Sequence, residues 1–202
     1  MKGRRRARHA ALQALYELDL TDHAVARVLA VRAGEFYRSA AAQALERADR
    51  RTVEHLIDRH AADAFAAVPV AGVAAGLGVD GARVAAVADF LQQLAPHVAY
   101  FERIVLGIGE HRAAIDAVIH RIAPEWPVDQ MAPIDRNVLR IALWEMGTGA
   151  SPVRVAINEA VELARLFSGE ASRRMVNGAL GAYVSGGPHL ELSEGDSGAP
   201  IG

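Results

Sequence analysis

The sequence contains no cysteine. That excludes a disulfide framework, a thiolate-ligated iron–sulfur cluster and a thiol nucleophile. Aromatic residues make up only 5% of the chain. No apolar run approaches the roughly 18 residues of a membrane-spanning helix. The basic N-terminus is not followed by an apolar stretch of the kind a secretion signal carries. Net charge is also nearly absent, at −2. No segment shows the strict alternation of a half-buried strand, and no internal repeat is visible. These absences point to a cytoplasmic protein with no membrane association.

About one residue in five is alanine, the best helix former and a poor strand residue. With 202 residues, 51% of them hydrophobic and 23% charged, the chain can bury a core of its own. The expectation is an all-α protein, with one helical domain over residues 1–184. Residues 4–19 carry an apolar stripe of Ala11, Leu12, Leu15, Tyr16 and Leu18. Thr21 and Asp22 offer an N-cap to a second helix. Residues 35–68 read as a highly charged helical segment, and Pro69 to Gly81, with four glycines, as a linker. Helical periodicity resumes from Ala82 to Leu106, where Pro96 is expected to kink or break it and Gly107 and Gly109 to stop it. Ile134 to Met146 is apolar on more than one face and is expected at the centre. Ser151 and Pro152 open the penultimate helix as cap and first residue, and 172–184 is the last helix. From 185 to 202 the chain turns to Gly, Ser, Pro and acid, with Glu191, Glu194 and Asp196, and reads as a disordered acidic tail.

No arrangement of nucleophile, metal ligands or cofactor loop stands out. His55 and His60 are five apart, about 140° around a helix, which does not suit a shared metal. Gly72, Gly76 and Gly78 lack the preceding strand and the following Gly-Lys-Ser/Thr of a phosphate loop. The expectation is a protein that is not an enzyme, with no cofactor and no metal. What does stand out is charge. Lys2, Arg4, Arg5, Arg6 and Arg8 place five cations in the first eight residues. Arginine bonds phosphate bidentately and stacks on bases, so this run is a candidate RNA handle. Arg173 and Arg174 form a second basic pair at the start of the last helix.

The C-terminal half carries a specific pattern: Ile134-Asp135-Arg136-Asn137-Val138-Leu139-Arg140-Ile141-Ala142-Leu143-Trp144-Glu145-Met146, then Pro152, then Val155-Ala156-Ile157-Asn158-Glu159-Ala160, and later Val176-Asn177-Gly178-Ala179-Leu180. With Arg5-Arg6-Ala7-Arg8, Ala11 to Tyr16, and Tyr100-Phe101 through Gly107 to Asp116, it resembles the NusB family of transcription antitermination factors. The resemblance covers about residues 3–33 and 98–184. It implies two packed helical bundles and no catalysis. It implies binding of boxA-type single-stranded RNA of ribosomal RNA leader transcripts, together with NusE, a small-subunit ribosomal protein, in an antitermination complex on RNA polymerase. Some members are homodimers, and the resemblance leaves that state open.

By position, the resemblance assigns RNA contacts to Arg4, Arg5, Arg6, Arg8, Arg173, Arg174 and Met175, and NusE contacts to Tyr16, Asp129 and Asp135. Tyr16 fits a core aromatic equally well, and Asp135 also suits a helix N-terminus. Asn158 and Asn177 are expected to bond backbone between helices. Two positions depart from the family pattern: Ala171 stands where a carboxylate is common, and Met175 where a phenylalanine is frequent. The segment from about residue 34 to 97 is an insertion relative to the family, expected to be a tolerated, solvated helical addition. The alternative function is a non-enzymatic helical adaptor with weakened or no RNA binding.

Overall fold

Eight α-helices and one short 3-10 turn (Arg47–Asp49) account for the regular structure of the described residues, and no strand occurs among them. The computed structural model describes residues 2–186 and 190–192. The helices are α1 (Lys2–Leu20), α2 (Val25–Ala44), α3 (Arg50–His60), α4 (Val70–Leu77), α5 (Gly81–Ile122), α6 (Pro133–Gly147), α7 (Val153–Phe167) and α8 (Glu170–Val184). No single described helix is long and apolar enough to cross a membrane. The chain divides into two compact units. The first comprises Met1–Ala10 and His23–Phe101, the second Ala11–Asp22 and Glu102–Gly202.

In the first unit, α2 packs on α3. Tyr37 is buried between two edge-on rings, Phe36 with centroids 6.3 Å apart and Phe65 at 5.0 Å. Such pairs add roughly 0.5–1.5 kcal/mol beyond area burial. Phe65 reaches this place because the chain leaves α3 through a left-handed turn, with φ of 49° at Ala64 and 61° at Phe65. The Phe65 N–H closes that turn on His60 O at 3.0 Å. The Arg38 guanidinium ties α2 to α3, donating to Glu54 (2.7 Å) and Asp58 (3.2 Å).

Three sequence expectations change here. Thr21 does not cap α2; its hydroxyl and N–H both donate to Glu17 O and finish α1 instead. The expected linker 69–81 contains helix α4. Pro69 precedes its first turn, and Gly78 ends it at φ 66° while its N–H donates to Ala74 O. Gly72 and Gly76 weaken an isolated helix, but buried Val73 anchors this one to the core. Pro96 does not break α5, because a proline φ is helical and only one backbone bond is forgone.

In the second unit, α6 packs on α7 and α8, and α7 on α8. As its pattern predicts, α6 is the central helix: every residue from Asn137 to Glu145 is buried. Leu139, Ile141 and Leu143 are fully enclosed, each worth roughly 1.5–3 kcal/mol. The interruption of α5 falls at His111 (φ −103°, ψ 15°), and not at Gly107 or Gly109. Gly107 instead lies in the helix facing the buried Trp144 indole, where an added Cβ would sit inside van der Waals contact of the ring nitrogen. Gly107→Ala is expected to cost about 1–3 kcal/mol by overpacking, although alanine is the better helix former by about 1 kcal/mol. Gly109→Ala, where an added Cβ meets open space, is the control and should be neutral or stabilising. Urea unfolding of the pair checks this; equal stability of the two would refute the close approach.

Ser151 is buried and does not cap α7, whose first N–H groups bond Pro152 O (Val155 at 2.8 Å, Ala156 at 3.0 Å). Of the expected tail, residues 187–189 and 193–202, with Glu194 and Asp196, lie outside the described residues. Leu192 N–H donates to Gly147 O (3.0 Å), and Leu190 N–H to the Tyr183 hydroxyl (3.2 Å).

Candidate nucleic-acid interface

The first turns of α1 carry the arginine run within the first unit. Arg4 and Arg5 are exposed. The Arg4 guanidinium lies 4.7 Å from the centroid of the Tyr100 ring, a cation–π contact that steadies the side chain at the surface. Arg6 stands 5.8 Å from the Phe36 centroid and donates to Gln43 Oε1 at 2.8 Å. His97 packs so closely on Gly3 that an added Cβ would collide with its ring. Burial, reinforced by the charges of Arg4 and Arg6, holds the His97 imidazole below its ordinary value.

Arg8 departs from the expectation. It is only 3% exposed and engaged in interactions within the fold. The reason is periodicity: Arg8 stands four residues before Leu12 and seven before Leu15, on the buried stripe of α1. The surface run is therefore Arg4, Arg5 and Arg6.

In the second unit, Arg173 and Met175 are half-buried and Arg174 is exposed. Arg173 grips Glu170, with Nη2 at 2.6 Å and Nε at 2.9 Å, and Arg174 Nη1 lies 3.9 Å from the same carboxylate. The hydrogen bond from Arg173, with the charges of Arg173 and Arg174, draws the Glu170 carboxyl below its ordinary value. This basic pair is thus partly neutralised in place.

Tyr16 is 41% exposed, so it is not a core aromatic. Asp129 is exposed on a turn closed by Gln130 and Met131 N–H groups on Pro127 O. Asp135, in the first turn of α6, is 8% exposed. Its Oδ2 accepts from Ser172 Oγ at 2.9 Å, while Oδ1 has no partner among the described residues. Asn158 and Asn177, expected to bridge helices, are both exposed.

The structural asparagine is instead Asn137, in an ion network that sequence reasoning did not find. The Asp19 side chain, 2% exposed, accepts from Arg112 Nη2 (2.8 Å), Arg136 Nε (2.8 Å), Asn137 Nδ2 (3.0 Å) and Arg140 Nη1 (3.2 Å). Arg140, 3% exposed at its side chain, also grips Asp116 bidentately at 2.7 and 2.8 Å. Burial acts to raise the Asp19 pKa, but the Arg136 hydrogen bond, the Arg140 charge, the Asn137 hydrogen bond and the Arg112 charge outweigh it, and the carboxyl sits below its ordinary value. An arginine four residues after Arg136 on an otherwise apolar helix was the available signal. Asp129 lines the open cleft over this network, with His120.

Comparison with known proteins settles the family. The NusB family model matches residues 37–185. The chain belongs to the NusB family. The transcription antitermination protein NusB of Chloroflexus aggregans is 32% identical over 185 residues, covering 90% of this chain and 87% of the relative. That of Halothermothrix orenii is 49% identical over 85 residues, 42% of this chain and 63% of the relative. NusB proteins of this kind are transcription factors. Two solved structures share the fold. Thermotoga maritima NusB aligns with a TM-score of 0.54 at 22% identity, covering 92% of this chain and 93% of that one. A protein chain in the crystal structure of a plectonemic RNA supercoil aligns with a TM-score of 0.55 at 18% identity, covering 92% and 96%.

Proposed function

We propose that this chain is a cytoplasmic antitermination factor that binds boxA-type RNA of ribosomal RNA leaders together with NusE, within a complex on RNA polymerase. It acts by binding and not by catalysis. The observation that carries the reading is the exposed arginine face of α1. Arg4 and Arg5 are exposed, Arg4 is steadied over Tyr100, and Arg6 beside them donates to Gln43. Guanidinium groups in that setting suit both phosphate oxygens and base faces. Arg173, Arg174 and Met175 form the second RNA contact in this reading, weakened by Glu170. Met175 offers a soft apolar surface but no ring to stack on a base.

On the partner side, Tyr16 and Asp129 are the outward groups, while Asp135 is buried with its Oδ1 unpartnered among the described residues. An exposed aromatic and an exposed acid in the same compact unit suit a cationic ribosomal protein. The test is fluorescence anisotropy of labelled boxA RNA, with and without the cognate NusE, against a scrambled RNA. Selective binding that NusE tightens is expected. Equal affinity for both RNAs, with NusE still bound, would leave the adaptor reading in its place.

A further inference from the structure

The segment expected to be an insertion holds a cleft between α3 and α4 that the reading above does not use. One wall is His55, Arg59 and His60; the other is Pro69, Gly72, Val73, Gly76 and Leu77. His55 and Arg59 stand four apart on one face of α3, and Gly72 and Gly76 four apart on the facing side of α4. His60, in the last turn of α3, also lines the cleft.

The wall carries the Arg59 guanidinium beside the two imidazoles of His55 and His60. None of the residues lining the cleft is acidic. The two α3 carboxylates beside them, Glu54 and Asp58, are spent on Arg38 of α2, on another face of the helix. Placement in the last turn of α3 accounts for a preference for Arg59 and His60 there, since cations favour a helix C-terminus. It does not account for the glycine face opposite. At Gly72 and at Gly76 an added Cβ meets nothing within 4 Å, so α4 presents bare backbone to open space at two successive turns.

We propose that this cleft is a third RNA contact of the chain, in which Arg59, with His55 and His60, holds a backbone phosphate of a single-stranded RNA and the Gly72–Gly76 face of α4 receives the attached base. The proposal rests on the RNA-binding reading and extends it into the insertion. Single-strand sites combine a basic groove for the backbone with planar side chains on which bases stack; here the imidazoles of His55 and His60 are the planar groups. Imidazole and guanidinium planes themselves stack on bases. An acidic peptide would need the cations alone and would leave the side-chain-free face without a role.

The test uses the full chain and a labelled single-stranded RNA carrying boxA with unpaired flanks, titrated over a range of salt. Three variants are compared: Arg59→Gln, Gly76→Leu, and Arg4, Arg5 and Arg6 all changed to alanine. Gly76→Leu improves helix propensity and enters open space, so the fold is retained. Arg59→Gln should weaken binding about fivefold at 0.1 M salt and lower the salt slope by about 0.7. Gly76→Leu should weaken binding about fivefold or more with the slope unchanged, since only a base contact is blocked. If both cleft variants match wild type while the α1 variant weakens, the cleft proposal is overturned and the RNA-binding reading stands. Weakening in Arg59→Gln without any in Gly76→Leu overturns the base-receiving face. A wild-type chain that binds no RNA at all overturns both. A polyglutamate peptide that binds wild type but not Arg59→Gln, with RNA binding unchanged in both cleft variants, overturns RNA as the occupant.

Discussion

Asp19→Ala is expected to cost about 3–5 kcal/mol of folding stability, the range for removing one partner of a buried ion pair. The loss comes less from the missing bonds than from what is left behind. Arg136 and Arg140 are largely buried, and without Asp19 the three guanidinium groups of the network face a single carboxylate, Asp116. Asn137 also loses the acceptor for its amide. Asp19→Asn keeps the shape but not the charge, and should cost less than alanine. Urea unfolding of wild type and both variants measures this; a loss under about 1 kcal/mol for Asp19→Ala would place the network among weak surface pairs.

The same carboxylate gives the pH dependence a definite sign. Its folded pKa lies below the ordinary value of 3.8. Its contribution is therefore fully present above that value and is lost as pH falls through the folded one. The stability gap between wild type and Asp19→Asn should stay constant from neutral pH down to about 4 and then shrink. A gap that widened on acidification would reverse the sign and the assignment with it.

Changing Arg4, Arg5 and Arg6 together to alanine should weaken boxA RNA binding about a hundredfold at 0.1 M salt, because each phosphate contact on a single strand contributes roughly a factor of five there. The salt slope should fall by about two, and wild type and variant should converge near 1 M. NusE binding should persist, since Tyr16 and Asp129 belong to the other compact unit. Including Arg8 would confuse the result: it is buried, and its loss would act on the fold. Anisotropy titrations at several salt concentrations decide the matter, and an unchanged affinity and slope would remove the α1 run from the interface.

Local pattern alone determined a good part of this protein. The alanine content and the 3.6-residue stripes specified an all-helical chain and the spans of α1, α6, α7 and α8. The apolar surround of Ile134 to Met146 specified a central helix, because a helix without a polar face has to be enclosed. Ordered motifs across the chain specified the family. The reading of charge alone assigned Arg8 to RNA, whereas Arg8 falls on the buried stripe of α1.

Tertiary structure decided the rest. Gly72 and Gly76 read as a linker because propensity counts only the isolated segment, whereas Val73 anchors that segment as a helix. Gly107 read as a stop because glycine usually is one; here it makes room for an indole from another helix. Asp19 and Arg140 are 121 positions apart, and neither is unusual in its own window. The cationic cleft depends on two helices facing each other and on Arg38 drawing off the acids of α3. Helix propensity and amphipathicity act within a few turns and can be read along the chain. Ion pairs, close backbone approaches and clefts form between residues distant in sequence, so only the folded chain brings them into being.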